Sequence, residues 1–245
     1  MTAIDTAARL LLDARRNRDR IADLPASCRP SSADQAYAVQ QRVMAELGPI
    51  GAWKVGAKSP AADPTYAPIP AAVTAAGPAR FAFRQFGVCI LEVEIAFFLG
   101  RGLPRRDLPY SRAEVSAAVA GAMTAIEIVD SRFAEYPNID RLSALADNQN
   151  NGALAHGRPV AEWQRHDLAG ATARLMVDGR RVSETRGGNP VGDPLTVLIW
   201  LANRKGLAAG DIVTTGSCTG MVPCAGPATV VGEIEGLGPL QVTLS

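Results

Sequence analysis

Histidine is nearly missing from this chain. Its 245 residues hold only His156 and His166, so a multi-histidine metal cage is not available. Cysteine is scarce as well. Cys28, Cys89, Cys218 and Cys224 form no C-x-x-C pair and have no histidine at zinc-finger spacing, so they read as reduced thiols and not as a disulfide framework. Charge of one sign is not in surplus: 25 Lys+Arg face 24 Asp+Glu, for a formal net charge of +1. That balance argues against nucleic acid, whose phosphates need a clustered excess of Lys and Arg. No apolar run approaches the roughly 18–20 residues that span a bilayer. Leu10-Leu11-Leu12 lies between charged residues with no cleavage-site pattern behind it, which is not the form of a signal peptide. The expectation is a cytoplasmic protein with neither membrane nor nucleic-acid partners.

What remains is an ordinary globular composition, 47% hydrophobic and 20% charged, in a chain long enough to bury a sizeable core. Residues 2–47 read as helical. Ser32-Ala33-Asp34-Gln35 has capping-box form ahead of Ala36, Val39, Val43 and Leu47 on one face, and Gly48-Pro49 stops the helix. Residues 51–77 are rich in Pro, Gly and Ala and suggest loops around one short strand. The stretch from Val88 to Leu99 has the length and β-branched content of a buried strand. Ser111-Arg112-Ala113-Glu114 predicts a helix through about Met123, followed at once by a strand over 124–129. Asp178-Gly179 marks a hairpin, and Asp193-Pro194 opens a helix that Gly206 ends. Short strands fill the last forty residues. Strands outnumber helices after residue 80 without alternating regularly, which predicts an α+β fold with a mainly antiparallel sheet or roll. The expected organisation is a helical part over 1–50 and a β-roll catalytic domain over 51–245. There is no internal repeat.

Three glutamates interrupt this pattern. Glu92 and Glu94 are two apart on an apolar strand, so both face one side. Adjacent like charges removed from water are costly unless something positive offsets them. An edge strand with a wet outer face gives the same spacing. Glu127 weakens that alternative, because it interrupts a second apolar strand, Ala125-Ile126-Glu127-Ile128-Val129. Three inward carboxylates form an all-oxygen set suited to Mg²⁺ or Mn²⁺ and not to Zn²⁺. Their charge of −3 is balanced by a divalent cation and one lysine. Lys54, set among apolar residues and glycine in Trp53-Lys54-Val55-Gly56, is the candidate; a snorkelling surface lysine is the bland alternative.

At these residues the chain resembles a known family. Leu91-Glu92-Val93-Glu94-Ile95-Ala96-Phe97 followed by Ala125 to Arg132 is similar to the 2-keto-4-pentenoate hydratase branch of the fumarylacetoacetate hydrolase superfamily. Gly51 to Gly56, Ala146-Asp147-Asn148, Pro194-Leu195 with Trp200 to Asn203, and Gly210 to Ser217 match further segments in the same order. The branch also contains 4-oxalocrotonate decarboxylases. The resemblance implies a mixed β-roll with a small helical N-terminal part, a homo-oligomer, and Mg²⁺ or Mn²⁺ held by Glu92, Glu94 and Glu127. It implies small 2-oxo or 2-hydroxydienoic acids as substrates, on which such an ion acts as a Lewis acid. Lys54 is expected to work beside the substrate, with Asp147 and Ser217 orienting substrate or water, although Asp147-Asn148 equally reads as a turn signal.

The segment from Lys58 to Pro68 departs from the family pattern. It is shortened by several residues, with Thr65 where an acidic residue is usual and Ala67 where glycine is usual. Asp63 is the candidate replacement for the missing carboxylate. The expected activity is metal-dependent hydration of a 2-hydroxy-2,4-dienoic acid. The alternatives are decarboxylation or C–C hydrolysis of a related 2-oxo acid, or a degenerate partner subunit without activity.

Overall fold

The computed structural model describes all 245 residues. Helix α1 (Ala3–Asn17) starts at a capping box in which Thr2 and Asp5 exchange hydrogen bonds, and it buries Ala7, Ala8, Leu11, Leu12 and Ala14 along one face. Helix α2 (Ala33–Leu47) starts at Ser32, whose hydroxyl accepts the Gln35 N–H. The expected box forms only by half, because the Gln35 side-chain carbonyl turns instead to the N–H and hydroxyl of Ser31. The helix ends at Gly48, which takes a φ of 92° that a residue with a Cβ rarely adopts.

Strands β1 (Ile50–Gly56), β2 (Thr65–Pro70), β3 (Thr74–Ala76) and β4 (Ala79–Phe81) follow, so the Pro- and Gly-rich stretch is more strand than loop. Strand β5 (Ile90–Leu99) is the long apolar one. The Ser111 capping box opens helix α3 (Arg112–Ala118), which stops five residues earlier than expected and hands over to β6 (Val119–Val129). Two constraints account for that. β5 pairs with β6 along its whole length, and at Gly121 a Cβ would come within 2.6 Å of Pro159, so this backbone is committed to close sheet packing. Helix α4 (Arg141–Ala146), β7 (Asn151–His156), and the hairpin of β8 (Thr172–Val177) and β9 (Arg180–Arg186) come next. Helix α5 (Leu195–Lys205) and strands β10 (Ile212–Ser217), β11 (Val222–Pro223), β12 (Ala228–Ile234) and β13 (Gly238–Leu244) complete the chain.

The strands form two sheets. The larger runs β2-β1-β10-β5-β6-β7-β3, with β11 also on β5, and the smaller runs β4-β13-β12-β8-β9. The pairs β1–β10, β3–β7 and β4–β13 are parallel and the others antiparallel, which makes this the expected mixed, mainly antiparallel α+β roll. Leu91, Val93, Ile95, Phe97 and Leu99 of β5 join the main core together with Ile126 and Ile128 of β6 and Leu175, Val230 and Val242 of the smaller sheet. Gly232 marks the closest approach of the sheets, since a Cβ there would sit 2.9 Å from both Ile126 and Val93.

Ala7, Leu11, Val39 and Val43 of α1 and α2 share a second core with Phe133, Leu145 and Ala146. The chain boundary expected near residue 50 is therefore not a break in packing. Buried Gln40 of α2 donates to the carbonyls of Leu145 and Tyr66, joining α2 to α4 and β2.

Candidate functional site

β5 lies between β10 and β6, so its glutamates are not on a wet sheet edge. Period-two alternation sends Leu91, Val93 and Ile95 into the inter-sheet core and turns Glu92 and Glu94 to the other face. The register then sets Glu127 of β6 directly opposite Glu92. Like charges so placed are destabilising by themselves. All three converge: carboxylate oxygens of Glu92, Glu94 and Glu127 lie within 4.8 Å of one another. Glu127 is wholly buried, Glu94 is 2% exposed, and Glu92 is half-buried at the opening.

Lys54 projects from β1, two strands away across β10. Its ammonium donates to Glu127 Oε1 and to the Gln149 carbonyl, the latter at 3.3 Å. Burial by itself would lower this lysine, but the fields of Glu127, Glu92 and Glu94 outweigh that and hold it above its usual value. On Glu92, burial and then the Glu127 charge raise the carboxyl to about 7. Glu94 is pushed well above the ordinary carboxylate range by burial, with Glu127 and Glu92 adding to it, although its Oε2 accepts the Gly216 N–H at 2.8 Å. One lysine against three carboxylates leaves the cluster short of two positive charges.

Lys54, Glu92 and Glu94 line a cavity of about 840 Å³ together with Asp63, Gln149 and Ser217, and Glu127 is buried beside them. Ser217 donates its hydroxyl to the Gly220 carbonyl at 3.0 Å. Asp147 does not line this cavity. Its two oxygens accept from Arg132 Nε at 2.7 and 2.9 Å, and one also accepts the Arg132 N–H at 3.0 Å. A carboxylate saturated in this way has no reason to move protons, so the expectation that Asp147 orients substrate or water is corrected: it braces the backbone behind the site.

That backbone is unusual. Asn148, Gln149 and Asn150 take φ values of 48°, 52° and 57° in succession, a left-handed turn that costs a non-glycine residue about 1–2 kcal/mol. It is held by Asn148 Nδ2 on the Pro68 carbonyl at 3.0 Å, by Ser131 on Asn150 Oδ1 at 2.9 Å, and by Gln149 Nε2 on the Thr65 hydroxyl. The turn carries Gln149 into the cavity, where its carbonyl meets Lys54 and its amide meets the shortened 58–68 segment. Sequence reasoning passed over Gln149. The run Asp147-Asn148-Gln149-Asn150-Asn151 held the available signal, since Asn tolerates the left-handed region. Tyr136 was also missed; burial first, and then the negative charge of Glu92, raises its hydroxyl.

The sequence profile of the fumarylacetoacetate (FAA) hydrolase C-terminal family matches residues 35–245. The chain belongs to this family. Over 258 aligned residues it is 30% identical to the 2-keto-4-pentenoate hydratase of Paraburkholderia phymatum, covering 99% of this chain and 97% of that protein. It is 30% identical over 156 residues to the 2-hydroxyhexa-2,4-dienoate hydratase of Comamonas testosteroni, where the match covers 62% of this chain and 58% of the relative. Among solved structures, the 4-oxalocrotonate decarboxylase from Pseudomonas putida G7, complexed with magnesium and adipate, superposes with a TM-score of 0.87. That match covers 99% of this chain and 97% of the other at 21% identity, a likeness of fold. In this chain the carboxylates stand on paired interior strands, and Thr65 presents a neutral hydroxyl that accepts from Gln149.

Proposed function

We propose that the chain is a lyase that adds water to a 2-hydroxy-2,4-dienoic acid or its 2-oxo-enoic tautomer, with Mg²⁺ or Mn²⁺ held by Glu92, Glu94 and Glu127. One observation carries this reading: three carboxylates converge with a single lysine at an organic-acid-sized cavity. The full-length hydratase relative supports the reaction class.

The residues fit such an ion. Glu127 Oε2 is buried and accepts no hydrogen bond, a state that costs about 1–3 kcal/mol unless a cation or donor meets it. The donors are all hard oxygens, and −3 from the glutamates with +1 from Lys54 leaves −2 for a divalent cation to cancel. When bound, that ion supplies Lewis-acid stabilisation to the oxygen at C2 of a 2-oxo acid. The protein does the rest. The Gly216 N–H fixes the plane of the Glu94 carboxylate. Lys54 keeps its proton because the carboxylates hold it. An ammonium has three donors, and the bonds to Glu127 and Gln149 leave one N–H to offer a substrate oxygen as a charged hydrogen-bond donor. Ser217 has used its donor on Gly220, so its oxygen is left to accept from a substrate hydroxyl or from the attacking water.

Toward the mouth, Thr65 and Gln149 bond each other where an acid is usual in the family, and Asp63 is the carboxylate that lines this end. Asp63 is therefore the group we assign to the water at the far alkene carbon. A cavity of about 840 Å³ lies near the upper end of ordinary ligand sites, so a dienoate with a bulky substituent should turn over faster than 2-hydroxypenta-2,4-dienoate. Calorimetry with oxalate, a planar mimic of the pyruvate enolate, should show binding only with Mg²⁺ or Mn²⁺ present, and Glu94→Gln should weaken it. Metal-independent oxalate binding that Glu94→Gln alters would overturn the site. Mass spectrometry of products should show gain of water; loss of CO₂ or chain cleavage would overturn hydration in favour of the sister reactions.

A further inference from the structure

A second cavity, of about 270 Å³, lies where the C-terminal end of α1 meets the loops before β5 and after β6. Arg15, Arg16, Arg18, Arg20 and Arg132 line it, with Asp130 as the one carboxylate. It shares no lining residue with the catalytic cavity. The buried charges nearly cancel. Arg132 is bonded to Asp147, donates Nη2 to the Asn151 carbonyl at 3.0 Å, and stands 3.6 Å from Asp130. Asp130 is already engaged, since one of its oxygens accepts the N–H groups of Gly87 and Val88 at 3.0 and 2.8 Å.

Arg15 is different. Its side chain is 18% exposed, its Nη2 donates to the Asn151 carbonyl at 3.3 Å, and its nearest carboxylate oxygen, on Asp147, is 3.9 Å away. A guanidinium carries five N–H donors, so most of those on this largely buried group have no protein acceptor. Its Nε and Nη1 make no hydrogen bond, yet neither is sealed from solvent. Burial, and then the charge of Arg132, lower it to about 10, the mark of a cation lacking a sufficient counter-charge. At the mouth, Arg18 and Arg20 form no ion pair, and Arg16 reaches only Asp13 and Glu46, each at 3.8 Å. The lining thus carries a positive surplus and guanidinium donors without protein acceptors.

We propose that this cavity is a second binding site, one that takes a doubly charged oxyanion of the phosphate class. Guanidinium forks match such a group in geometry as well as charge. Free inorganic phosphate and the phosphate of a small ester share this chemistry. Its back wall is also the wall of the catalytic cavity: Asn151, held by Arg15 and Arg132, directly follows the left-handed turn, and Ser131 beside Arg132 holds Asn150. An anion that fixes the two arginines therefore braces the turn that presents Gln149 to Lys54.

The test is calorimetric titration of the full chain, without added metal, with inorganic phosphate and in a parallel arm with glycerol phosphate. Saturable binding is expected in at least one arm, weakened about tenfold or more in Arg18→Gln/Arg20→Gln. It should be unchanged in Arg158→Ala/Arg180→Ala, which removes equal charge elsewhere, and in Glu94→Gln. The arm that binds more tightly identifies the source. Absence of binding in both arms, equal binding in the Arg18/Arg20 variant, or loss in Glu94→Gln would overturn the site. The last outcome would place the anion on a cation retained at the glutamate cluster and leave the hydratase reading standing. Amide exchange over 147–151 should slow with phosphate bound, and unchanged exchange would overturn the bracing role.

Discussion

Metal-free protein should lose stability as pH rises through the range in which most proteins are most stable. Glu92 is raised from 4.5 to about 7, so the folded chain binds this proton more tightly than the unfolded chain does. With the unfolded state releasing the proton first, stability falls with pH. The effect is absent below about pH 4.5, grows between there and about pH 7, and is complete above it. The gap corresponds to about 3 kcal/mol, or about 6–12 °C in Tm for a chain of this length. Glu94, also raised well above the carboxylate range by its burial, adds to the loss. Lys54 does not oppose it: raised above the ordinary lysine value, its contribution is fully present below about pH 10 and constant in this window. Carboxylates held low by hydrogen bonds, such as Glu114 at about 2, act in the opposite direction but only as pH falls below about 4.5. The assay is urea denaturation at pH 5, 6, 7 and 8, with and without Mg²⁺, on wild type and Glu92→Gln. Stability should fall from pH 5 to 8 in metal-free wild type. The fall should shrink in Glu92→Gln, and Mg²⁺ should abolish it by taking the place of the protons. A flat metal-free profile, or the same fall with Mg²⁺ present, would refute the claim that these three glutamates form an under-compensated cation site.

Three other expectations follow from named contacts. Lys54→Met removes the only cation bonded to Glu127, so steady-state kinetics should show a fall in kcat well beyond any loss of Mg²⁺ affinity; unchanged kinetics would take Lys54 out of the reaction. Asp147→Asn leaves the 3%-exposed Arg132 without its main partner and should destabilise the fold by about 3 kcal/mol, read by denaturant midpoint, with oxalate affinity per folded molecule changed less than in Glu94→Gln. The reverse ranking would restore Asp147 to the chemistry. Gly232→Ala forces a methyl between Ile126 and Val93, each 2.9 Å away, and should cost about 1–3 kcal/mol while metal binding persists. A neutral effect on the melting curve would mean that the two sheets are not closely packed at this point.

Much of this site was legible in the sequence because its elements are local. A strand turns alternate residues to one face whatever surrounds it, so Glu92 and Glu94 announced a shared polar side on an apolar strand, and Glu127 did the same on the next. Capping at Ser111, the turn at Asp178-Gly179 and the stop at Gly206 are likewise settled within a few residues of chain. The end of α3 was not, because β6 begins at Val119 to satisfy ten residues of β5 that are distant in sequence. The register that sets Glu127 against Glu92, and the crossover that brings Lys54 from β1 to the same oxygens, are decided by long-range pairing and not by any residue's own preference. Tertiary structure also separated Asp147 from Gln149, neighbours in one asparagine-rich run. Burial against Arg132 spends the charge of the first on holding the fold, and three left-handed residues turn the second into the cavity. Composition and alternation thus determined that this chain carries an oxygen-donor cluster inside a roll. Which side chains complete that cluster depended on strand order, burial and one strained turn, which act between residues 15 to 122 positions apart and leave no local pattern to read.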